Sequence, residues 1–156
     1  MTSRRVALFS GLGAVGVAFG TAGCTSVRPP VARSALVSQV RHAEESFAAT
    51  MARRDAAAFS EFIAEDAVFI NGGNPLRGKA AIVEYWSRFF APQAAPFAWR
   101  PELVEVASSG TLGYTEGPVL SPTGVIFAKF FTTWQLSPSG RWLVVFDNGY
   151  SACSSD

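Results

Sequence analysis

Asp147 is the residue of this sequence best suited to acid–base chemistry. It directly follows the apolar run Leu143–Phe146, which is typical of a buried strand. Burial without a partner raises the pKa of a carboxyl group towards neutrality, where the group can act as a general acid or base. The alternative is a structural carboxylate that accepts hydrogen bonds from the following Asn148-Gly149 turn or from a neighbouring strand. The sequence leaves both interpretations open.

Other kinds of reactive centre are not indicated. His42 is the only histidine and lies off the apolar side of its predicted helix, next to charged residues, so we expect it to be exposed. The two cysteines, Cys24 and Cys153, are far apart in the sequence, and no set of metal ligands results. No nucleophile elbow, phosphate-binding loop or dinucleotide fingerprint is present. We therefore predict neither a metal nor a cofactor.

The N-terminal residues predict an export signal over residues 1–23. Ser3-Arg4-Arg5 precede a short apolar stretch, which ends at Thr21-Ala22-Gly23-Cys24. The stretch has roughly 14 residues, whereas a membrane-spanning helix needs about 20; a retained anchor is the alternative. The small residues before Cys24 resemble the lipobox of bacterial lipoproteins, which predicts lipidation of Cys24. The paired arginines also resemble a twin-arginine signal.

The mature chain is predicted to hold one domain. Removal of residues 1–23 lowers Lys+Arg from 13 to 11 against 12 Asp+Glu, so the net charge becomes about −1 and nucleic-acid binding is not expected. Residues 24–33 form the lipidated cysteine and a proline-containing tether, 34–151 the domain and 152–156 a flexible tail. Cys153 in this tail is expected to be unpaired, a disulfide with Cys24 being the alternative.

The periodicity of apolar residues predicts three helices. The first begins at Ser34 as N-cap and ends near Arg54, and Asp55 caps a short second helix. The third runs from Lys79 to about Phe90 and is ended by Pro92.

Strands account for the rest of the domain. One strand, Asp66–Asn71, lies between the second and third helices. Four more, at about 99–108, 111–120, 125–136 and 142–150, form an antiparallel meander. The order of elements predicts an α+β fold in which a curved antiparallel sheet wraps around three N-terminal helices.

Several short motifs between Phe47 and Gly149 occur together in a known family. They are Arg54-Asp55, Phe62–Phe69, Gly78–Ile82, Tyr85-Trp86, Gly113–Gly117, Thr132–Trp134 and Gly140–Trp142. These residues resemble the ketosteroid-isomerase-like (nuclear transport factor 2-like, SnoaL-like) family, in particular an uncharacterised branch found in secreted bacterial proteins. The resemblance implies the cone-shaped fold of that family. It implies little about function, because the fold carries both enzymes and binding modules.

The catalytic residues of ketosteroid isomerase are not found at the matching positions. The resemblance aligns the general-base carboxylate with Asn71, the oxyanion-hole tyrosine with Phe47 and the second oxyanion donor with Thr132. An amide cannot accept a substrate proton at neutral pH, and a phenyl ring has no hydroxyl to donate. We therefore expect no ketosteroid isomerase chemistry.

Strand register predicts which residues line the pocket. Two-residue hairpin loops at Pro122-Thr123 and Pro138-Ser139 would place Thr132 opposite Gly113 and Phe130 opposite Asp147. One face of the sheet then carries Phe130, Thr132, Trp134, Val145 and Asp147. The resemblance makes this the pocket face, closed by Phe47, Asn71 and Trp86. A one-residue bulge would turn Asp147 to the other face.

The reverse face of the sheet is predicted to be a contact surface. In the same register Glu116 lies opposite Lys129, which predicts a cross-strand ion pair. Phe127 and Phe131 make this face apolar, so a homodimer through the sheet is expected.

Three functions are compatible with these observations. The favoured one is an exported, periplasmic domain, lipid-anchored to the cell envelope through Cys24, that binds a small apolar or aromatic ligand. The second is an isomerase, dehydratase or hydrolase that uses Asp147 as acid or base. The third is a non-catalytic interaction module whose pocket is filled by its own aromatic side chains.

Overall fold

Three helices and seven strands make up the fold of residues 31–152. The computed structural model describes residues 31–152, so the predicted signal peptide, Cys24 and Cys153 lie outside the described residues. The helices are α1 (Arg33–Arg53), α2 (Ala56–Glu61) and α3 (Lys79–Phe90). The strands are β1 (Ile63–Asn71), β2 (Asn74–Arg77), β3 (Ala98–Trp99), β4 (Leu103–Val106), β5 (Leu112–Leu120), β6 (Ile126–Leu136) and β7 (Trp142–Ser151). Within residues 31–152, no helix is long and apolar enough to span a membrane.

The helix boundaries agree with the prediction at α2 and α3 and differ at the start of α1. Asp55 caps α2 as predicted, its carboxylate accepting a hydrogen bond from the backbone N–H of Ala58 at 2.9 Å. Ser34 is not the N-cap of α1, because the carbonyl of Ala32 already accepts the hydrogen bonds of the first turn. Arg33 instead fixes this end of the helix by a 2.6 Å ion pair with Glu105.

The strands form one curved, mixed sheet in the order β2-β1-β7-β6-β5-β3, and β4 also pairs with β5. The predicted antiparallel meander is present, but β1 runs parallel to β7, so the sheet is not antiparallel throughout. The predicted strand at 99–108 is divided into β3 and β4, since Pro101 between them has no backbone N–H to donate.

Glycines allow close approach at the centre of the sheet. A Cβ at Gly113 would lie 2.7 Å from Cγ2 of Val40, which shows how tightly α1 lies on β5. A Cβ at Gly117 would overlap the backbone carbonyl oxygen of Arg100. Neither position can hold a larger residue without movement of the backbone or of α1.

Both main hairpin loops have three residues instead of the predicted two. Ser121 and Val125 close the first loop, with the N–H of Ser121 2.8 Å from the carbonyl oxygen of Val125. Gly124 inside the loop has a φ of 83°, a conformation that glycine adopts without strain. Residues 137–141 repeat this arrangement around Gly140. Each loop therefore shifts the strand register by one residue from the prediction.

A bulge in β7 adds a second shift. Trp134 pairs with Val144, whereas the preceding residue, Thr133, pairs with Phe146, so Val145 is the extra residue. Val144, not Val145, is therefore the fully buried residue opposite Trp134. Val145 was predicted to line the pocket face with Trp134; it is instead the unpaired bulge residue, partly buried against the core and not part of the cavity wall.

The two shifts together determine the position of Asp147. The predicted pairs Thr132–Gly113 and Phe130–Asp147 are wrong; Thr132 lies between Thr115 on one side and Asp147 on the other. Because two one-residue shifts restore the original alternation, Asp147 still points to the concave face with Thr132.

Two shifts between β5 and β6, one from the longer loop and one from a bulge at Phe127, remove the predicted ion pair on the convex face. Glu116 lies opposite Phe131, and Lys129 lies opposite Pro118, so the predicted Glu116–Lys129 pair does not form. Glu116 instead accepts a hydrogen bond from the hydroxyl of Tyr114 at 2.7 Å. Burial, together with this hydrogen bond and the charge of Glu116, raises the pKa of Tyr114 to about 12.

Candidate ligand pocket

A cavity of about 310 Å³ opens between α3 and the concave face of the sheet. Most of its wall is aromatic, and Asp147 and Asn148 supply the polar side chains that are not aromatic. The lining residues are Phe47, Tyr85, Trp86, Phe89, Phe97, Trp99, Val119, Phe127, Phe130, Asp147, Asn148 and Gly149. This composition suits an apolar ligand with one polar group.

The aromatic wall is built by edge-to-face contacts between rings. Trp86 and Phe89 of α3 have centroids 5.4 Å apart, and Phe89 lies 5.3 Å from Phe97 in the segment before β3. Phe47 of α1 lies 5.5 Å from Trp99 on the opposite side. Aromatic pairs prefer these distances and angles, so the rings hold one another in place around the cavity and do not fill it.

Trp86 also brings an unpaired polar atom to this region. Its indole nitrogen is buried and has no hydrogen-bond acceptor among the described residues. The ring is held between Phe59, at 5.1 Å and nearly parallel, and Phe69, at 5.8 Å and perpendicular. A buried N–H without an acceptor carries a free-energy cost.

Asp147 has one protein hydrogen-bond donor in the part of the chain that the structure describes. The hydroxyl of Thr132 donates to its Oδ2 at 2.7 Å. Burial raises the pKa of Asp147 from 3.8 to about 8; the Thr132 hydrogen bond opposes this shift, and the charge of Glu44 adds to it. At neutral pH the group is therefore mainly a neutral carboxylic acid, which can donate a hydrogen bond or a proton into the cavity.

A second carboxyl group, that of Glu44, lies behind this wall. Its side chain has no exposed surface. Its Oε1 accepts a hydrogen bond from Nε1 of Trp99 at 2.7 Å, and its Oε2 accepts from the hydroxyl of Thr115 at 2.6 Å and from Nε1 of Trp134 at 2.9 Å. Burial raises the pKa of Glu44, while the hydrogen bonds from Thr115, Trp99, Trp134 and Thr132 lower it.

Glu44 was not among the site residues predicted from the sequence. The residue follows Val40 by four positions and precedes Phe47 by three, so it belongs to the buried stripe of α1. That spacing was a usable signal. We treated Glu44 only as a charged neighbour of His42, because glutamate is rarely buried unless it is paired. His42 itself is exposed, as predicted.

The predicted pocket residues fall into three groups. Phe47, Trp86, Phe130 and Asp147 line the cavity. Thr132 and Trp134 are buried beneath it, where they hydrogen-bond with Asp147 and Glu44 respectively.

Of the other two predicted residues, one is absent from the wall and the side chain of the other lies outside the description. Val145 is the bulge residue and is not among the lining residues. Asn71 is the last residue of β1, and its side chain lies outside the described part of the structure.

The unpredicted lining residues include Tyr85 and Phe89, which share the inner face of α3 with Trp86. Phe127 was predicted on the reverse face with Phe131, but it is the extra residue of a bulge in β6 and lines the cavity.

No metal site is evident within residues 31–152. These residues contain no group of three or more histidine, cysteine, aspartate or glutamate side chains that could hold a metal ion. The two carboxyl groups of this region, those of Asp147 and Glu44, can form hydrogen bonds and transfer protons.

The profile of the SnoaL-like domain matches residues 43–144, which is most of the region that contains the helices, the sheet and the cavity. The chain belongs to the SnoaL-like domain family. A comparison with curated proteins found no match.

Solved structures with the same fold come from several bacteria. A nuclear transport factor 2-like protein of unknown function from Pseudomonas putida is 16% identical, with a TM-score of 0.65 over 79% of this chain and 91% of that chain. A candidate dehydratase of the nuclear transport factor 2-like family from Streptomyces avermitilis is 15% identical, with a TM-score of 0.64 over 79% of this chain and 100% of that chain. A ketosteroid isomerase-like protein from Erwinia carotovora atroseptica is 17% identical, with a TM-score of 0.60 over 74% of this chain and 95% of that chain. These neighbours establish the nuclear transport factor 2-like fold of this SnoaL-like domain.

Proposed function

We propose that the SnoaL-like domain binds a small, largely apolar ligand in the aromatic cavity and that Asp147 is the polar contact of this ligand. The observation that carries the proposal is the position of this carboxyl group on a mostly aromatic wall. The cavity volume of about 310 Å³ is at the lower end of the range for small-molecule sites, about 300–1,000 Å³.

The hydrogen bonding of Asp147 supports this proposal. A buried carboxyl group is costly to retain unless its oxygens are paired. Among the described residues, only Thr132 donates to Asp147, and only to Oδ2. A ligand group that bonds with Asp147 would reduce the cost of burial, so the arrangement fits an incoming polar group.

Proton transfer by Asp147 is a second candidate function. A carboxyl group with a pKa of about 8 can give or take a proton near neutral pH, as isomerisation, dehydration and hydrolysis require. The neighbours described as a candidate dehydratase and as ketosteroid isomerase-like are consistent with this class of reaction. Because Phe47 and Thr132 occupy the positions that the sequence comparison aligned with the two oxyanion donors, such a reaction would depend on Asp147 and not on the isomerase's own set.

A pure interaction module fits the observations less well. For an interaction module we expected an interior filled by its own aromatic side chains, whereas the rings here surround an open cavity.

The cellular setting is part of the proposal. The sequence features of residues 1–24 support export and lipid anchoring at Cys24, with the domain in the periplasm. The convex face of the sheet exposes 54% of Phe146, 61% of Tyr150 and 43% of Leu112, which supports a homodimer through that face.

Thermal unfolding against a panel of apolar and aromatic compounds tests the binding function. A compound that binds the native state raises the unfolding midpoint by mass action. We expect compounds with a polar group to raise the midpoint of the wild type and to lose at least about tenfold in affinity in Asp147→Ala, a change of about 1.4 kcal/mol. Asp66→Ala, which removes an exposed aspartate, is the matched control and should bind like the wild type. Equal binding to both variants would contradict the role of Asp147.

A further inference from the structure

We propose that Glu44 is a positioning residue that carries a negative charge behind the cavity wall. This charge keeps Asp147 neutral, so that its O–H can donate a hydrogen bond to a ligand acceptor such as a carbonyl oxygen. This inference rests on the proposed ligand site and specifies its chemistry. It predicts that the pocket selects neutral carbonyl compounds over amines and plain hydrocarbons.

The hydrogen-bond donors decide which of the two carboxyl groups holds the charge. Glu44 accepts from two indole N–H groups, those of Trp99 and Trp134, and an indole N–H can only donate. Thr115 supplies a third donor. A carboxylate that accepts several hydrogen bonds is stabilised in its charged form, whereas Asp147 has a single hydroxyl donor within the described residues. When one proton is available to the two groups, it therefore resides on Asp147.

Thr132 connects the two groups. Its hydroxyl donates to Oδ2 of Asp147 at 2.7 Å and also lies close enough to the Glu44 carboxyl group to lower the pKa of that group. A hydroxyl has one proton and two acceptor lone pairs. Because that proton is donated to Oδ2 of Asp147, the proton of neutral Asp147 lies on its other oxygen, Oδ1, and stays available to a ligand. The charge on Glu44 acts on Asp147 through space.

No other charged side chain competes for this role within residues 31–152. Tyr85 of α3 is the other titratable group that lines the cavity. Arg88 lies over the ring of Tyr85 with its guanidinium 3.8 Å from the centroid, but its side chain is exposed, as is that of Glu84. On the strands next to β7, Glu65 and Asp66 of β1 and Lys129 of β6 are also exposed. Glu44 is the group whose charge raises the pKa of Asp147.

The side-chain carboxyl signals in a carbon-13 NMR titration test the charge assignment without a ligand. In the wild type we expect Glu44 to lose its proton at a lower pH than Asp147. Glu44→Gln removes the charge and should lower the titration midpoint of Asp147 by about one pH unit. Thr132→Val removes the donor and should raise that midpoint. A general loss of structure is not expected to shift the Asp147 midpoint in opposite directions in these two variants. If Glu44→Gln does not fold, the order of titration in the wild type still decides, and an Asp147 group that titrates first overturns the proposal.

Acetophenone and ethylbenzene, which differ in one carbonyl group, test the ligand chemistry. Acetophenone should bind the wild type at pH 6 and lose about tenfold in affinity at pH 9, where Asp147 is ionised and cannot donate, whereas binding of ethylbenzene should be weaker and independent of pH. Acetophenone binding that does not change with pH would contradict the donor role of Asp147 while leaving the ligand site intact. If neither compound binds, the carbonyl specificity is overturned, and the panel of compounds then decides separately whether the cavity is a ligand site.

Discussion

The indole N–H of Trp134, at the centre of the sheet, donates a hydrogen bond of 2.9 Å to Oε2 of Glu44 on the first helix. Both side chains have no exposed surface. This bond joins the helix to the sheet directly below the cavity. Glu44 is therefore a structural link as well as the charged group behind Asp147.

Removal of the Glu44 carboxyl group should be strongly destabilising. Glu44→Ala leaves the donors of Trp99, Trp134 and Thr115 buried without an acceptor, and we expect a loss of about 3–5 kcal/mol in the free energy of unfolding. Urea unfolding monitored by circular dichroism measures it. Glu45→Ala is the matched control, because Glu45 is the exposed neighbour on the same helix, and it should change the stability by less than about 0.5 kcal/mol. A similar small change for Glu44→Ala would show that this hydrogen-bonded cluster contributes little.

The stability of the protein should fall as the pH rises. The pKa of Asp147 is about 8 in the folded protein, whereas the ordinary value of an aspartate, 3.8, applies to the unfolded chain. Between these two pH values the native state therefore binds more protons than the unfolded chain. Linkage then requires stability to decrease as the pH rises from about 4 to about 8. The raised pKa of Glu44 acts in the same direction.

Asp147→Asn should remove the part of this dependence that belongs to Asp147. Relative to the wild type, the free energy of unfolding of the variant should increase by a few kcal/mol between pH 5 and pH 8.5, because asparagine does not ionise. Urea unfolding at both pH values provides the comparison. Parallel pH profiles for the variant and the wild type would mean that Asp147 does not titrate as proposed.

The sheet should tolerate an added methyl group at one glycine and not at another. A Cβ at Gly117 would overlap the backbone of Arg100, whereas a Cβ at Gly149 would lie 3.6 Å from its nearest neighbour, the carbonyl oxygen of Lys129. We expect Gly117→Ala to lower the stability by about 1–3 kcal/mol and Gly149→Ala to be nearly neutral. Thermal unfolding of the two variants measures the difference, and equal midpoints would contradict the close approach at Gly117.

Local sequence signals were sufficient for much of the fold. The cap at Asp55 and the stop at Pro92 are short-range features, and α2 and α3 lie where these residues predicted them. The motifs between Phe47 and Gly149 indicated the family, which the SnoaL-like domain match confirmed. Such features depend on neighbours in the chain, so a single sequence contains them.

Features that depend on distant residues were predicted less well. The bulge at Val145 has no strong local signature, and neither it nor the length of the hairpin loops was read correctly from the sequence. The acceptor role of Glu44 depends on Trp99 and Trp134, which are 55 and 90 positions away. A pattern along one helix marks Glu44 as buried, but it cannot show which donors meet the carboxylate. The volume of the cavity likewise depends on how six or more rings contact one another.

The most direct test of the ligand site is to fill it. Gly149 lines the cavity and has no left-handed backbone conformation, so Gly149→Leu should place a side chain in the ligand's position without strain. Gln135→Leu, an exposed position on the convex face of β6, is the matched control. With calorimetric titration of the compound that gives the largest thermal shift, we predict saturable binding to the wild type and to Gln135→Leu, and at least a tenfold loss in Gly149→Leu, which should remain as stable as the wild type. Undiminished binding to a folded Gly149→Leu variant would contradict the assignment of this cavity as the ligand site.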